Sequence, residues 1–328
     1  MRDLAAQLHH ASLAPGSSPL VRATAKAAWL TLAAASSASS RRKAPAAVAR
    51  FWYWQIGRRT RGGALDVQLR PQRIRFRIPA WSQIGGMIVA NGSHEPSETS
   101  FLARTLKRGD VFYDVGSNIG LYTVLAARAG ARVVAFEPDD RAGGALRRNV
   151  ALAEAEDRVE GRSVALADFD GEASFTTGLE VGKHLCEAKD TDSDVTVTVC
   201  RLDTLAAADQ LPWPVPGCLA FLKVDAEGHD LEVLRGATDL LSQHSPIVMV
   251  ETWAGGVEVR QFLDGLGYRV YAYDERSRGL REYPPHWSGQ ANFFAIRSRQ
   301  LPELGCRLAG SFIPVAVAPP RIFGWIAP

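Results

Sequence analysis

Short apolar runs alternate with amphipathic stretches through the middle of the chain. The runs Val111–Val115, Arg132–Glu137, Val159–Ala165, Leu219–Asp225, Ile247–Glu251, Tyr268–Tyr273 and Ala291–Arg297 predict strands. Between them, apolar positions at helical spacing predict helices near Leu121–Ala129, Arg141–Ala153, Asp230–Leu241 and Val257–Leu266. A further helix opens in "SETSFLARTLKRGD", with Ser97 or Thr99 as its cap and Gly109 at its end. Strands that alternate with helices in this way predict an α/β fold, a Rossmann-like and mostly parallel sheet with helices on both faces.

The alternation breaks in three places. "RIRFRI", Arg73 to Ile78, has period two and predicts a half-exposed strand, and turn signals follow at Gly85-Gly86 and Asn91-Gly92. Gly171 to Leu205 reads as an insertion, with added strands in "ASFTT" and "VTVTVCRL" around an exposed loop. The tail "PVAVAPPRIFGWIAP" is too rich in proline for a helix. These breaks divide the chain into an Ala/Ser-rich lead at residues 1–50 and a small β-rich basic cap at 51–95. The main domain follows at 96–300, and a C-terminal arm at 301–328.

Charge sharpens the division. The 328 residues carry a formal net charge of +3, yet residues 1–100 hold 14 Lys and Arg against 4 Asp and Glu, and the remainder 24 against 31. A basic front with Trp52, Tyr53 and Trp54 among its arginines admits peripheral contact with an anionic membrane or a saccharide. No nucleic-acid module is recognisable, and no nucleic-acid partner is expected. Cys186, Cys200, Cys218 and Cys306 lack metal-binding spacing, so neither a zinc site nor a disulfide framework is expected, and a cytoplasmic location is the default. The apolar stretch Ala27–Ser40 is too short to span a bilayer, and it reads as an Ala-rich helix rather than a signal peptide.

The ends of the predicted strands share one chemistry. They carry Asp114, Glu137, Asp168, Asp225 with Glu227, and Glu251. In an open parallel sheet these ends share one edge, where the ligand crevice lies. The first turn reads Asp114-x-Gly116-x-Asn118-x-Gly120 rather than G-x-G-x-x-G. An acid aimed into that loop repels a phosphate and suits a ligand bearing an amino-acid cation. Asn118 tolerates a left-handed backbone, and Glu137 is placed to take two ribose hydroxyls. A ribose joined to an amino-acid cation describes S-adenosyl-L-methionine.

The stretches "GDVFYDVGSNIGLYT", "VVAFEPDD", "VALADFDGEASF", "RLDTL", "FLKVDAEGHDLEVLRGA" and "SPIVMVET" together resemble the FkbM-type family of class I S-adenosylmethionine-dependent methyltransferases. The resemblance spans about residues 95–300. It implies a seven-stranded sheet whose last strand, "ANFFAIR", inserts antiparallel. It also implies a cofactor loop at Asp114, Gly116, Asn118 and Gly120, a ribose acid at Glu137, and an acid near the adenine amine at Asp168. Ser117 departs from the family, where alanine is expected. The acceptor it implies is a hydroxyl on a sugar or other natural product.

Methylating an aliphatic hydroxyl requires a base for its proton. Asp225, Glu227 and His229 stand at every second position after one strand, and His229 is the first candidate base. The competing reading of His229 is an exposed loop histidine with no role, and that of Glu227 is a cap on the following helix. Asp225 and Glu251 end neighbouring strands and resemble a divalent-cation pair, but no third ligand is visible and no metal is expected. Lys223 reads as a structural partner for these acids, and Tyr122 and Trp253 as candidate walls of the cofactor and acceptor pockets, although aromatics at such positions are more often core. Two other classes remain open: a nicotinamide-dependent oxidoreductase on a similar fold, and a non-catalytic scaffold. A homodimer is also compatible with the sequence.

Overall fold

A computed structural model describes residues 24–25, 27–28, 31–32, 44–60, 63–70, 73–82, 84–91, 93–176, 185–186, 194–211, 219–251, 256–275, 277–283, 292–309 and 316–318. The chain divides into two compact units, one of residues 1–73, 78–94 and 315–328, the other of residues 74–77 and 95–314.

In the first unit the expected β-rich cap is corrected. Phe51–Thr60 is the second half of a helix, Ala44–Thr60, which buries Ala47, Phe51, Trp54 and Gln55 on one stripe. Gly85 and Gly86, read as a turn, lie inside a second helix, Ile84–Asn91. A Cβ at Gly86 would stand 2.9 Å from the Phe51 ring, so that glycine lets the two helices approach. Arg50 Nε donates to Ala90 O at 3.0 Å and locks the pair. A strand does occur there, β1 at Leu65–Arg70; β2, Ile74–Ile78, alternates as its sequence predicts, with residues 74–77 assigned to the second unit. The segment Ala316–Ala318 pairs antiparallel with β1. Most of the expected C-terminal arm lies outside the described residues, and its start is a helix, Leu301–Ala309.

The second unit holds the alternating elements. Its strands are β3 (Val111–Val115), β4 (Arg132–Phe136), β5 (Val159–Arg162), β6 (Ala165–Leu166), β7 (Gly171–Thr176), β8 (Leu185–Cys186), β9 (Asp194–Cys200), β10 (Leu219–Val224), β11 (Ile247–Val250), β12 (Arg269–Asp274), β13 (Gly279–Glu282) and β14 (Phe293–Ile296). The main sheet runs β13-β12-β14-β11-β10-β3-β4-β5. From β11 to β5 every pairing is parallel, and β14 is inserted antiparallel between β11 and β12, as expected. The sheet has eight strands rather than seven because β13 folds back on β12 as an antiparallel edge. This is a Rossmann-like α/β sheet.

Its central strands are largely apolar because helices cover both faces. β3, β11 and β14 are buried at every position. Phe101, from the helix Pro96–Thr105, packs on Phe294 with ring centroids 4.0 Å apart. That helix is entered at Glu95, and neither Ser97 nor Thr99 caps it; the Thr99 hydroxyl instead donates back to Glu95 O at 2.7 Å. The helix expected over Asp230–Leu241 is two, Asp230–Arg235 and Thr238–His244. It breaks at Gly236, where a Cβ would stand 2.0 Å from Ala167 O.

β6, β7, β8 and β9 form a separate small sheet in the order β6-β9-β7-β8. β7 and β9 are the strands expected in the insertion, and they pair antiparallel. The run expected as one strand, Val159–Ala165, therefore splits, with β5 in the main sheet and β6 in the small one.

Candidate active site

The main sheet presents its carboxylates through its own ladder. The N–H of Glu137 donates to Arg162 O at 3.0 Å, that of Asp225 to Val115 O at 3.2 Å, and that of Glu251 to Val224 O at 3.1 Å. Each acid is thus the first residue beyond its strand, held by a neighbour's carbonyl, and the three share one edge.

The loop after β3 is tied to the same edge. Gly116 and Ser117 both donate to Phe136 O, at 3.0 and 3.1 Å. Gly116 and Asn118 are left-handed, at φ 70° and 50°. A Cβ at Gly116 would stand 1.9 Å from Asp225 O, so the loop passes directly over the end of β10. Asn118 N donates to Glu137 Oε2 at 2.8 Å, and Asp139 N to Glu137 Oε1 at 2.9 Å. Both oxygens of Glu137 are therefore fixed by backbone donors. Asp139 in turn caps the helix Asp140–Leu152, accepting from Ala142 N at 2.7 Å.

Between these elements lies an open cavity of about 680 Å³, mouth included. Gly116, Asn118, Glu137, Asp225, Glu227 and His229 line it. The lining also includes the apolar Phe136, Ala142, Val164, Leu166 and Phe175. Among the described residues, no Lys or Arg lines it. Asn118 Oδ1 is buried there without a hydrogen-bond partner.

Four expected site residues do not line this cavity. Asp114 does not point into the loop. It is the register partner of Lys223 on β10, so both side chains share one face of the sheet, beneath the cavity. Its carboxylate is fully buried, accepts from Thr123 Oγ1 at 2.5 Å, and lies 3.9 Å from Lys223 Nζ. Burial pushes Asp114 up from its ordinary value, against the pull of Lys223 and Thr123. Asp168 is exposed at a bend after β6, because β6 left the main sheet for the small one. Gly120 serves as the N-cap of the helix Leu121–Arg128. Glu251 lies outside the lining, on the side of Tyr122 and Lys223, both of which its charge raises.

Tyr122 does not wall the cavity. Its hydroxyl donates to Glu95 Oε2 at 2.6 Å, and Glu95 Oε1 accepts from Asn292 Nδ2. Burial, then the Glu95 charge, pushes neighbouring Glu98 up to about 7. Trp253 lies outside the described residues. Glu227 occupies a left-handed position (φ 50°) in the turn before the helix Asp230–Arg235, whose N-cap is His229 with no side-chain cap bond. Among the described residues, no group of three His, Cys, Asp or Glu is arranged to hold a metal ion. No described helix is long and apolar enough to cross a membrane.

Sequence reasoning missed Phe175, Thr123 and Asn149. Asn149 is fully buried: its Nδ2 donates to Ile119 O at 2.8 Å and Arg77 O at 3.0 Å, and its Oδ1 accepts from Arg77 N at 2.7 Å. The only signal was a polar residue on the apolar face of a helix.

Fold and cavity together define a Rossmann-like domain with an acid-lined crevice at the ends of its parallel strands. Residues 114–270 match the methyltransferase FkbM domain. It is 32% identical over 158 residues to the hexuronic acid methyltransferase AglP of Haloferax volcanii, covering 47% of this chain and 60% of that protein. It is 27% identical over 165 residues to the 31-O-demethyl-FK506 methyltransferase FkbM of Streptomyces tacrolimicus, covering 41% of this chain and 62% of that protein. The chain thus spans about three-fifths of the length of the curated relatives it matches. A methyltransferase FkbM structure from Methylobacillus flagellatus KT aligns at a TM-score of 0.39 and 14% identity, over 65% of this chain and 55% of that one, too distant to bear on function.

Proposed function

We propose that this protein is an S-adenosyl-L-methionine-dependent methyltransferase acting on a hydroxyl of a sugar or other natural product. The observation that carries the reading is the lining of the cavity: Glu137, Asp225 and Glu227 beside a set of apolar side chains, with no Lys or Arg among the described residues. Among the described residues a pyrophosphate finds no cation there, which disfavours a nicotinamide dinucleotide. A ribose, an ammonium and a flat base each find a complementary surface. Glu137 would hold the ribose, Asp225 with the Gly116–Asn118 backbone the amino-acid end, and Val164, Leu166 and Phe175 the base.

When bound, that cofactor supplies a methyl group already activated by its sulfonium. The protein then has to align an acceptor and take up its proton. His229 lines the cavity beside Asp225 and Glu227, and it is the base in this reading. The acceptor class is supported by the names of the two curated relatives, one acting on a hexuronic acid and one on an O-demethyl natural product. The test is incubation with methyl-labelled cofactor and a panel of hexuronic acids, glycans and polyketide alcohols. Label transferred to an acceptor oxygen is expected. Label appearing only on amines, or none transferred although the cofactor binds, contradicts it.

A further inference from the structure

Lys223 is a charged side chain inside an otherwise apolar strand, 2% exposed, and the chemistry proposed above does not use it. Three groups surround its ammonium. Nζ donates to Asp225 Oδ2 at 3.0 Å, lies 3.9 Å from Asp114 Oδ1, and sits 5.2 Å from the centroid of the Tyr122 ring. Burial pulls the ammonium down, but Asp225, then Asp114, more than offset this and leave it above the ordinary lysine value. It is therefore a fixed cation.

A lysine that merely balanced a buried acid would need only Asp114. This one gives its hydrogen bond to Asp225, the more exposed carboxylate and the one that lines the cavity. Asp225 also bears the carbonyl against which Gly116 packs, so its placement and that of the loop are one geometric fact. Asp114, Lys223 and Asp225 thus run from beneath the sheet edge to the cavity wall, and Tyr122 extends the chain to Glu95.

We propose that Lys223 is a positioning residue: from beneath the cavity it holds the Asp225 carboxylate in the orientation that receives the amino-acid end of the methyl donor. This rests on the cofactor reading above. Lysine serves here as a compact point charge with several donors, able to face two carboxylates and a ring at once.

The test is calorimetric titration of the full chain with S-adenosylhomocysteine, with thermal melting recorded for each variant. Lys223→Met alone is expected to lose stability, because it leaves Asp114 buried without a counter-charge. The informative variant is therefore the pair Lys223→Met with Asp114→Asn, which removes the buried charge and restores the fold. The proposal expects this pair to melt near the parent but to bind at least tenfold more weakly. It further expects that adding Lys223→Met to Asp225→Asn weakens binding by less than twofold more, since both act through one carboxylate. Parental affinity in the restored pair overturns the proposal, as does a full independent loss on top of Asp225→Asn. A parent that binds no S-adenosylhomocysteine refutes the cofactor reading, and this inference with it.

Discussion

The backbone N–H of Asn118 donates to the carboxylate of Glu137 at 2.8 Å, joining the loop after β3 to the acid that ends β4. The two residues stand nineteen apart in sequence yet form one unit of the cavity wall. A side chain that organises the loop is thereby also the group offered to the ligand. Changes in this wall should report on ligand affinity and loop order together.

Gly116 is the position where a single methyl group should do the most damage. Its φ of 70° disfavours any Cβ, and the added atom would stand 1.9 Å from Asp225 O, which is backbone and cannot swing away. Gly116→Ala should lower the melting temperature by several degrees and weaken binding of S-adenosylhomocysteine at least a hundredfold. Melting curves and titration check both.

Asn149 holds the other end of the loop, through Ile119 O and the backbone of Arg77. Asn149→Leu keeps the approximate volume but removes three buried hydrogen bonds. The expected cost is about 3–5 kcal/mol, measured by urea unfolding. Asn149→Asp should be nearly as costly, because a carboxylate cannot donate to either carbonyl.

Asp230 gives the protein a pH dependence of stability. It is 2% exposed, and burial pushes its carboxyl from 3.8 to about 7, against the hydrogen bond from Ala226 N. Between those values the folded protein keeps the proton and the unfolded chain has lost it, so this group's contribution falls as pH rises. The slope is on the order of 1 kcal/mol per pH unit. Asp230→Asn, which still accepts from Ala226 N, should gain on the parent from about pH 4 to 7 and hold a constant advantage above. Unfolding curves at four pH values, parent against variant, measure it.

His229 and Glu227 line the cavity, but the reading gives only His229 the acceptor proton. His229→Ala should leave S-adenosylhomocysteine affinity within threefold of the parent and lower the transfer rate at least a hundredfold. An unchanged single-turnover rate removes His229 as the base.

The sheet and its acidic edge were legible because strands buried on both faces read as unbroken apolar runs, each ending in the residue that meets solvent. β11 follows that rule closely, its run ending at Glu251, whereas β3 and β10 carry the buried Asp114 and Lys223 within their runs. The helix through Phe51–Thr60 was not legible, since dense aromatics and arginines imitate an alternating strand. Only the partner helix at Ile84–Asn91 selects the stripe of Ala47, Phe51, Trp54 and Gln55. The break at Gly236 depends on Ala167 O arriving from another strand, a contact no local pattern records. Asp114 was placed in the right element but on the wrong side of it. The alternation that pairs it with Lys223 becomes visible only once the register of β3 and β10 is known.

The most direct test of the central claim is calorimetric titration with S-adenosylhomocysteine and, in parallel, NADH, on the parent and on Glu137→Ala. The prediction is micromolar binding of S-adenosylhomocysteine alone, weakened at least tenfold in Glu137→Ala while its melting temperature stays within a few degrees of the parent. Binding of NADH alone, or equal affinity in parent and variant, would contradict it.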